Sequence, residues 1–302
     1  MKDYLAAARV WVGRATEADA EGAIRRALRE IGAPASDTAR SVAIKINICE
    51  YRLSNSGAIT DPAMLGALLS EARRLWPSAE LSIFENDATS LDIDTAYRLL
   101  GFTQVAREHG AVLRNVAHER WIRKPVSGGL IFQELEVPEI IETTDVFINF
   151  AKLKTNALTK TTGCLKNIFA LLREKRKVTL HGRIDQVLQD MNKVIRPHIC
   201  LIDGIVGMEG IGGPAFGRPR RCNLLIAGRN PVAVDACGAR IMGFRPASIR
   251  HISMCHKAGL GPIRYSMATD IDNFRYDDYK FRFQMAEYVL RNALRSRAGF
   301  AT

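Results

Sequence analysis

The sequence predicts an α/β fold: a mostly parallel sheet with helices on both faces and an inserted hairpin forming a small lid region. Three observations predict it. Short apolar runs of strand length alternate with stretches of helical periodicity, the rhythm of strand–helix–strand units. The runs are apolar enough for strands covered on both faces. The rhythm breaks once, between Trp121 and Val137, where Gly128-Gly129 separates two strand-like runs as a hairpin turn would.

In chain order, residues 8–12 read as a strand. Thr16 caps a helix through about Ile31, and Gly32 ends it. Residues 42–46 form a second strand. A helix over 61–76 opens on Thr60 or Asp61, with Pro62 in its first turn. Residues 81–84 are a third strand, 92–100 and 103–109 two short helices, and 111–115 a further strand. Residues 146–149 make a core strand. Helices follow at 162–172 and 183–194, strands at 199–202 and 224–227, and a helix at 231–242 stopped by Gly243. The tail, 279–297, reads as an amphipathic helix with Phe281, Met285, Tyr288 and Val289 on its apolar stripe. With no repeat, low-complexity tract or linker, the 302 residues read as one domain, with 115–140 as the lid or subdomain.

Composition narrows the function. No run reaches about 18 uninterrupted apolar residues, so no membrane helix is expected. The start of the chain has no signal-peptide pattern, which predicts a cytoplasmic protein. The six cysteines are widely spaced with no C-x-x-C pair, which excludes a local zinc ribbon or ferredoxin-type loop and predicts reduced thiols. A net charge of +11 favours an anionic partner. The basic residues are mostly dispersed and are not interleaved with aromatics, so nucleic acid is a poor candidate.

Four segments place polar residues at predicted strand ends, where open α/β sheets bind ligands. In Lys45-Ile46-Asn47-Ile48-Cys49, alternation puts Lys45, Asn47 and Cys49 on one side. A lysine in such a strand needs an anion or a carboxylate. Lys152, Lys154 and Thr155 end the 146–149 strand and suit phosphate or carboxylate. Gly163 and Cys164 open a helix whose free N–H groups, with Lys166 and Asn167 beside them, suit an anion. The stretch from Asp203 to Pro214 reads as a glycine-rich loop, with Gly210 and Gly213 allowing close approach to a ligand. It fits neither a Walker loop nor a dinucleotide fingerprint. Asp203, Glu209 and Asp235 are candidate acid–base groups or ligands of a divalent cation. His181 is the best histidine for proton transfer.

These motifs carry a resemblance. FINFAKLKTNALTKTTGCLKNIFALL, LIDGIVGMEGIGGPAFGRP and LLIAGRNPVAVDACGARIMGF resemble the domain-of-unknown-function 362 family over residues 42 to 262. Its pattern is matched at Lys45, Asn47, Lys152, Lys154, Thr155, Lys166, Asn167, Asp203, Glu209, Gly210, Gly213, Pro214, Pro231 and Asp235. The resemblance implies a fold and a site rather than a reaction. Some members carry iron–sulfur modules, and this chain has none. Asn156, Asn230 and Ile46 stand where the family has histidine, aspartate and proline. Cys49, Cys164 and Cys237 lie inside three motifs where the family pattern leads one to expect none.

The sequence therefore predicts an enzyme acting on a small phosphate- or carboxylate-bearing substrate, of unassigned reaction class. Lys45, Lys152, Lys154 and Lys166 converge on the anion, and Asp203, Glu209, Asp235 or His181 supply acid–base chemistry. One alternative is a redox protein holding a metal or iron–sulfur cluster on Cys49, Cys164 and Cys237; another is a nucleic-acid-binding protein. The tail helix is the expected contact for a homo-oligomer.

Overall fold

The structure, a computed structural model, describes residues 8–174, 177–210, 215–284, 289 and 293. Its elements in chain order are β1 (Arg9–Arg14), α1 (Ala20–Glu30), β2 (Ser41–Lys45), α2 (Pro62–Leu75), β3 (Glu80–Glu85), α3 (Ile93–Leu99), α4 (Phe102–Glu108) and β4 (Val112–Asn115). There follow β5 (Trp121–Pro125), β6 (Glu134–Pro138), α5 (Ile140–Thr143), β7 (Val146–Asn156), β8 (Lys160–Thr162), α6 (Cys164–Asn167) and α7 (Ile184–Val194). The chain continues with β9 (Ile199–Glu209), β10 (Arg218–Gly228), α8 (Pro231–Ile241), α9 (Arg250–Lys257) and β11 (Ser266–Thr269).

The main sheet runs β11-β1-β10-β9-β7-β2-β3-β4, with β8 paired to β7. From β9 to β4 all neighbours are parallel. β10 is antiparallel to both β9 and β1, so the sheet is mixed but mostly parallel. Strand alternation divides the core into two layers. Trp11, Ile44, Ile83, Ile148, Phe150 and Leu201 face α1 to α4. Val10, Val12, Ala151, Leu153, Ile202 and Ile226 face the opposite way, towards α8, while Ala43, Phe84 and Phe147 meet α7 and the hairpin.

The helix starts follow local chemistry. Asp61 Oδ1 accepts the Ala63 N–H and Pro62 opens α2. Asn230 Oδ1 accepts the Val232 and Ala233 N–H groups at α8. Gly32, at φ +61°, takes the left-handed conformation that ends α1.

Several expectations change. Residues 203–209 are not a loop: β9 runs on to Glu209 because β10 pairs with it from Cys200 to Glu209. Its glycines serve packing. A Cβ on Gly207 would lie 2.7 Å from the Leu153 carbonyl and 2.8 Å from the Phe281 ring. Gly213 and Pro214 lie outside the described residues. The 162–172 helix begins only at Cys164, because Thr161 and Thr162 pair with β7 as β8, and it tightens into a 3-10 turn at Ile168–Leu171. His181 sits in a 3-10 segment, Lys177–Arg183, rather than a loop. α9 and β11 were not expected; β11 is a short, largely exposed edge strand without an apolar pattern.

The tail does not start a helix at Tyr279. A 3-10 turn, Tyr276–Tyr279, gives way to an irregular segment through Gln284. Phe281 is buried as expected, but Val289 is 58% exposed, and Met285 and Tyr288 lie outside the described residues. The hairpin forms as expected from β5 and β6. It packs Val126, Leu135 and Val137 against Phe147, Ile168 and Met191, and its turn is tied to α7 by Asp190, which accepts N–H groups from Leu130, Ile131 and Phe132.

Candidate functional site

The carboxyl ends of β2 and β3 and the middle of β7 and β9 gather a set of buried charges; β7 runs on to Asn156, so Lys152, Lys154 and Thr155 lie within the strand rather than beyond it. Lys45 ends β2 and pairs with Glu85 at the end of β3, Nζ to Oε2 2.7 Å, both side chains fully buried. Lys152 pairs with Asp203 across β7 and β9 at 2.6 Å, again fully buried. Asp203 also accepts the Asp61 and Ile205 N–H groups, so both of its oxygens are engaged in holding α2 and β9 to the sheet. Lys45 and Lys152 thus meet carboxylates of the chain itself.

Lys154 differs. Its Nζ is buried, donates to the Ala58 carbonyl (2.7 Å) and Cys49 Sγ (3.3 Å), and has no carboxylate partner among the described residues. Lys166, half-buried on α6, makes no hydrogen bond or ion pair among the described residues; its ammonium lies 5.9 Å from the Phe169 ring centroid. Burial lowers the Lys154 pKa, and the charge of Lys152 adds to the effect. Burial and then the charge of Lys154 bring Lys166 down to about 8. Burial, with Lys154 adding to it, also lowers Lys45 against the pull of Glu85. Of the four lysines named from sequence, Lys154 is thus the one whose charge meets each of the other three.

A fifth joins them. Lys177 is buried, donates to the Asp87 carbonyl at 2.9 Å, and is brought to about 8 by burial with Lys45 contributing. Sequence reasoning missed it because it closes a basic run that reads as surface. It also missed Glu85, although Glu85-Asn86-Asp87 follows an apolar strand and the strand-end rule applied there too.

α6, which carries Lys166, is held from several sides. Asp235 Oδ1 and Oδ2 accept the Cys164 and Leu165 N–H groups at 2.6 and 2.9 Å. Asn149 donates to the Cys164 carbonyl and Asn192 to the Leu165 carbonyl. Asn167 donates to Asn149 Oδ1, and Asn86 ties the following turn at the Ala170 and Leu172 carbonyls. Burial lifts Asp235 to about 7. Thr155 donates to the Met208 and Gly210 carbonyls. Glu209 accepts the Arg282 N–H and sits 3.6 Å from Arg220, away from the lysines. His181 rests beside Phe169, ring centroids 6.0 Å apart. Asn47 Oδ1 and Thr162 Oγ1 are buried with no hydrogen-bond partner among the described residues.

The thiols named from sequence do not form a set. Cys49 stands beside Lys154. Cys164 lies in the apolar layer against the Leu201 carbonyl, its pKa raised by burial and by neighbouring Cys200. Cys237 is in α8, pushed up to about 12 by burial. Among the described residues no three His, Cys, Asp or Glu side chains are placed to hold a metal ion.

Residues 42–240 match the family model described as Domain of unknown function (DUF362). The chain belongs to the DUF362 family. Every lysine described above falls within the matched span. The chain is also similar to the Thylakoid-associated protein sll1697 of Synechocystis sp., 34% identical over 139 residues, covering 43% of this chain and 43% of that protein. The match thus spans less than half of the curated relative. Among solved structures it is similar to the lactate racemase apoprotein of Thermoanaerobacterium thermosaccharolyticum, with TM-score 0.47 and 13% identity over 85% of this chain and 58% of that one. No described helix is long and apolar enough to cross a membrane.

Proposed function

We propose that this chain is an enzyme acting on a small anion, phosphate- or carboxylate-bearing, held between Lys154 and Lys166. One observation supports the reading: Lys45, Lys152, Lys154 and Lys177 are buried and Lys166 is half-buried, with Lys154 near enough to Lys45, Lys152 and Lys166 for the charges to act on one another. Lys45 and Lys152 are neutralised in place. Lys154 and Lys166 are not, and a desolvated cation without a counter-charge favours an incoming anion. Lys154 has three N–H donors and uses two, which leaves one for substrate. Lys166, near pKa 8, is suited to giving or taking a proton. Asp235 serves by fixing α6 rather than by touching substrate. The nucleic-acid alternative loses support, since a duplex backbone does not reach ammonium groups buried among strand ends.

Calorimetric titration with oxalate and with inorganic phosphate tests the reading. The wild type should bind at least one of them, and Lys154→Gln and Lys166→Gln should each weaken binding about tenfold, the loss of one charge-assisted hydrogen bond. Binding unchanged in both variants would overturn it.

A further inference from the structure

Resting on the anion site just proposed, we infer that Lys166 is a nucleophile and that the substrate class is an anion bearing a carbonyl group next to its carboxylate, captured as an imine. The five lysines divide by what their amines touch. Lys45 and Lys152 are ion-paired, and Lys154 and Lys177 donate to backbone carbonyls. Lys166 alone among them makes no hydrogen bond to the described residues, and it is half-buried rather than sealed. An amine with no donor role in the fold has its lone pair available once it loses a proton. Burial, with the neighbouring cation of Lys154 adding to it, brings it to about 8 and leaves a neutral fraction near neutral pH in the unliganded site. The backbone beneath it is held by hydrogen bonds: Asp235, Asn149 and Asn192 bind the first two residues of α6. Lys154, tied to the Ala58 carbonyl, is placed to hold charge but not to attack. A carboxylate on Lys154 and an adjacent carbonyl at Lys166 would use both groups at once.

The step balances without an external oxidant or reductant. The neutral Lys166 nitrogen gives its lone pair to the carbonyl carbon, forming the C–N bond as the C=O π pair moves to oxygen. That oxygen leaves as water, taking one proton from the attacking nitrogen and one from solvent. The product is a protonated imine.

Borohydride trapping tests this. The full chain is incubated with substoichiometric pyruvate and sodium borohydride, and peptides are mapped by mass spectrometry. The expected result is a carboxyethyl group on Lys166 ahead of all other lysines. Labelling at that position should disappear in Lys166→Arg, fall about tenfold in Lys154→Gln, and be suppressed by oxalate. Label spread over surface lysines, with oxalate still binding in a Lys154-dependent manner, would overturn the imine and leave the anion site standing. Absence of binding by pyruvate, oxalate and phosphate alike would overturn both.

Discussion

At the residue scale, the chain treats these lysines in two ways. Lys45 exists with Glu85 as a unit: Glu85 also accepts the Ile48 and Asn86 N–H groups, so it cannot leave when its partner is removed. Lys45→Met should strand that carboxylate and cost about 3–5 kcal/mol in urea unfolding, and adding Glu85→Gln should recover part of the loss. Neutralising Lys154 or Lys166 strands no carboxylate, so their variants should fold and lose binding instead. Their ionisation gives a pH signature. Lys166 has a pKa lowered to about 8, and a bound anion raises it again, so binding takes up a proton. Oxalate, fully ionised throughout, should bind with constant affinity below about pH 7 and progressively more weakly above about pH 8. Lys177, also near 8 and facing Lys45, Glu85 and Asp87, adds to the fall, so Lys166→Gln should flatten most of the profile and not all of it. Calorimetry at half-unit pH steps reads this directly, and an affinity that rises above pH 8 would contradict it.

At the element scale, α6 is too short to be stable alone. Four residues of α-helix stay in place because Asp235, from α8, takes both of the first N–H groups. Asp235→Ala should leave two buried donors without acceptors and cost about 2–5 kcal/mol. Its ionisation has a defined sign. Burial raises the folded pKa from 3.8 to about 7, so between those values the folded chain holds a proton that the unfolded chain has lost. The contribution of Asp235 is therefore largest at low pH and declines as pH rises from about 4 to about 7. Urea midpoints at pH 5 and pH 8 should differ more in the wild type than in Asp235→Asn, which does not titrate. The sequence made the start of α2 readable, since Thr60-Asp61-Pro62 is a strong start signal, and the end of α8, where Gly243 stops it. It misplaced the start of α6 because β8 is set by pairing with β7, a contact with no local pattern.

At the scale of the whole molecule, the fold class was legible because the strand runs are apolar on both faces, and most of the lysine cluster was legible because strand ends carry ligands in such sheets. Two things were not. The partners of the lysines come from distant segments, and nothing at Lys45 points to Glu85 forty residues on. The run from Asp203 to Gly210 carries the composition of a loop, yet long-range pairing with β10 makes it a strand. The tail also belongs to this long-range architecture. Phe281 is 4% exposed, its N–H bonds the Met242 carbonyl, and its ring sits where a Cβ on Gly207 would be. Arg282 is tied to the end of β9: its N–H donates to the Glu209 carboxylate, and its carbonyl accepts from the Gly210 N–H. Residues 281 and 282 thus close the same strand that carries Asp203. Phe281→Ala should cost about 3–5 kcal/mol, as for other large core truncations. A chain ending at residue 279 should lose more, because Glu209 also forfeits a donor. Phe281 nevertheless packs with Leu153, whereas Lys154 points to the opposite face of β7. The alanine variant, studied below its melting temperature, should therefore bind oxalate within about twofold of the wild type while its urea midpoint falls. If a folded Phe281→Ala chain lost binding as fully as Lys154→Gln, the tail would have to be counted part of the anion site rather than of the core behind it.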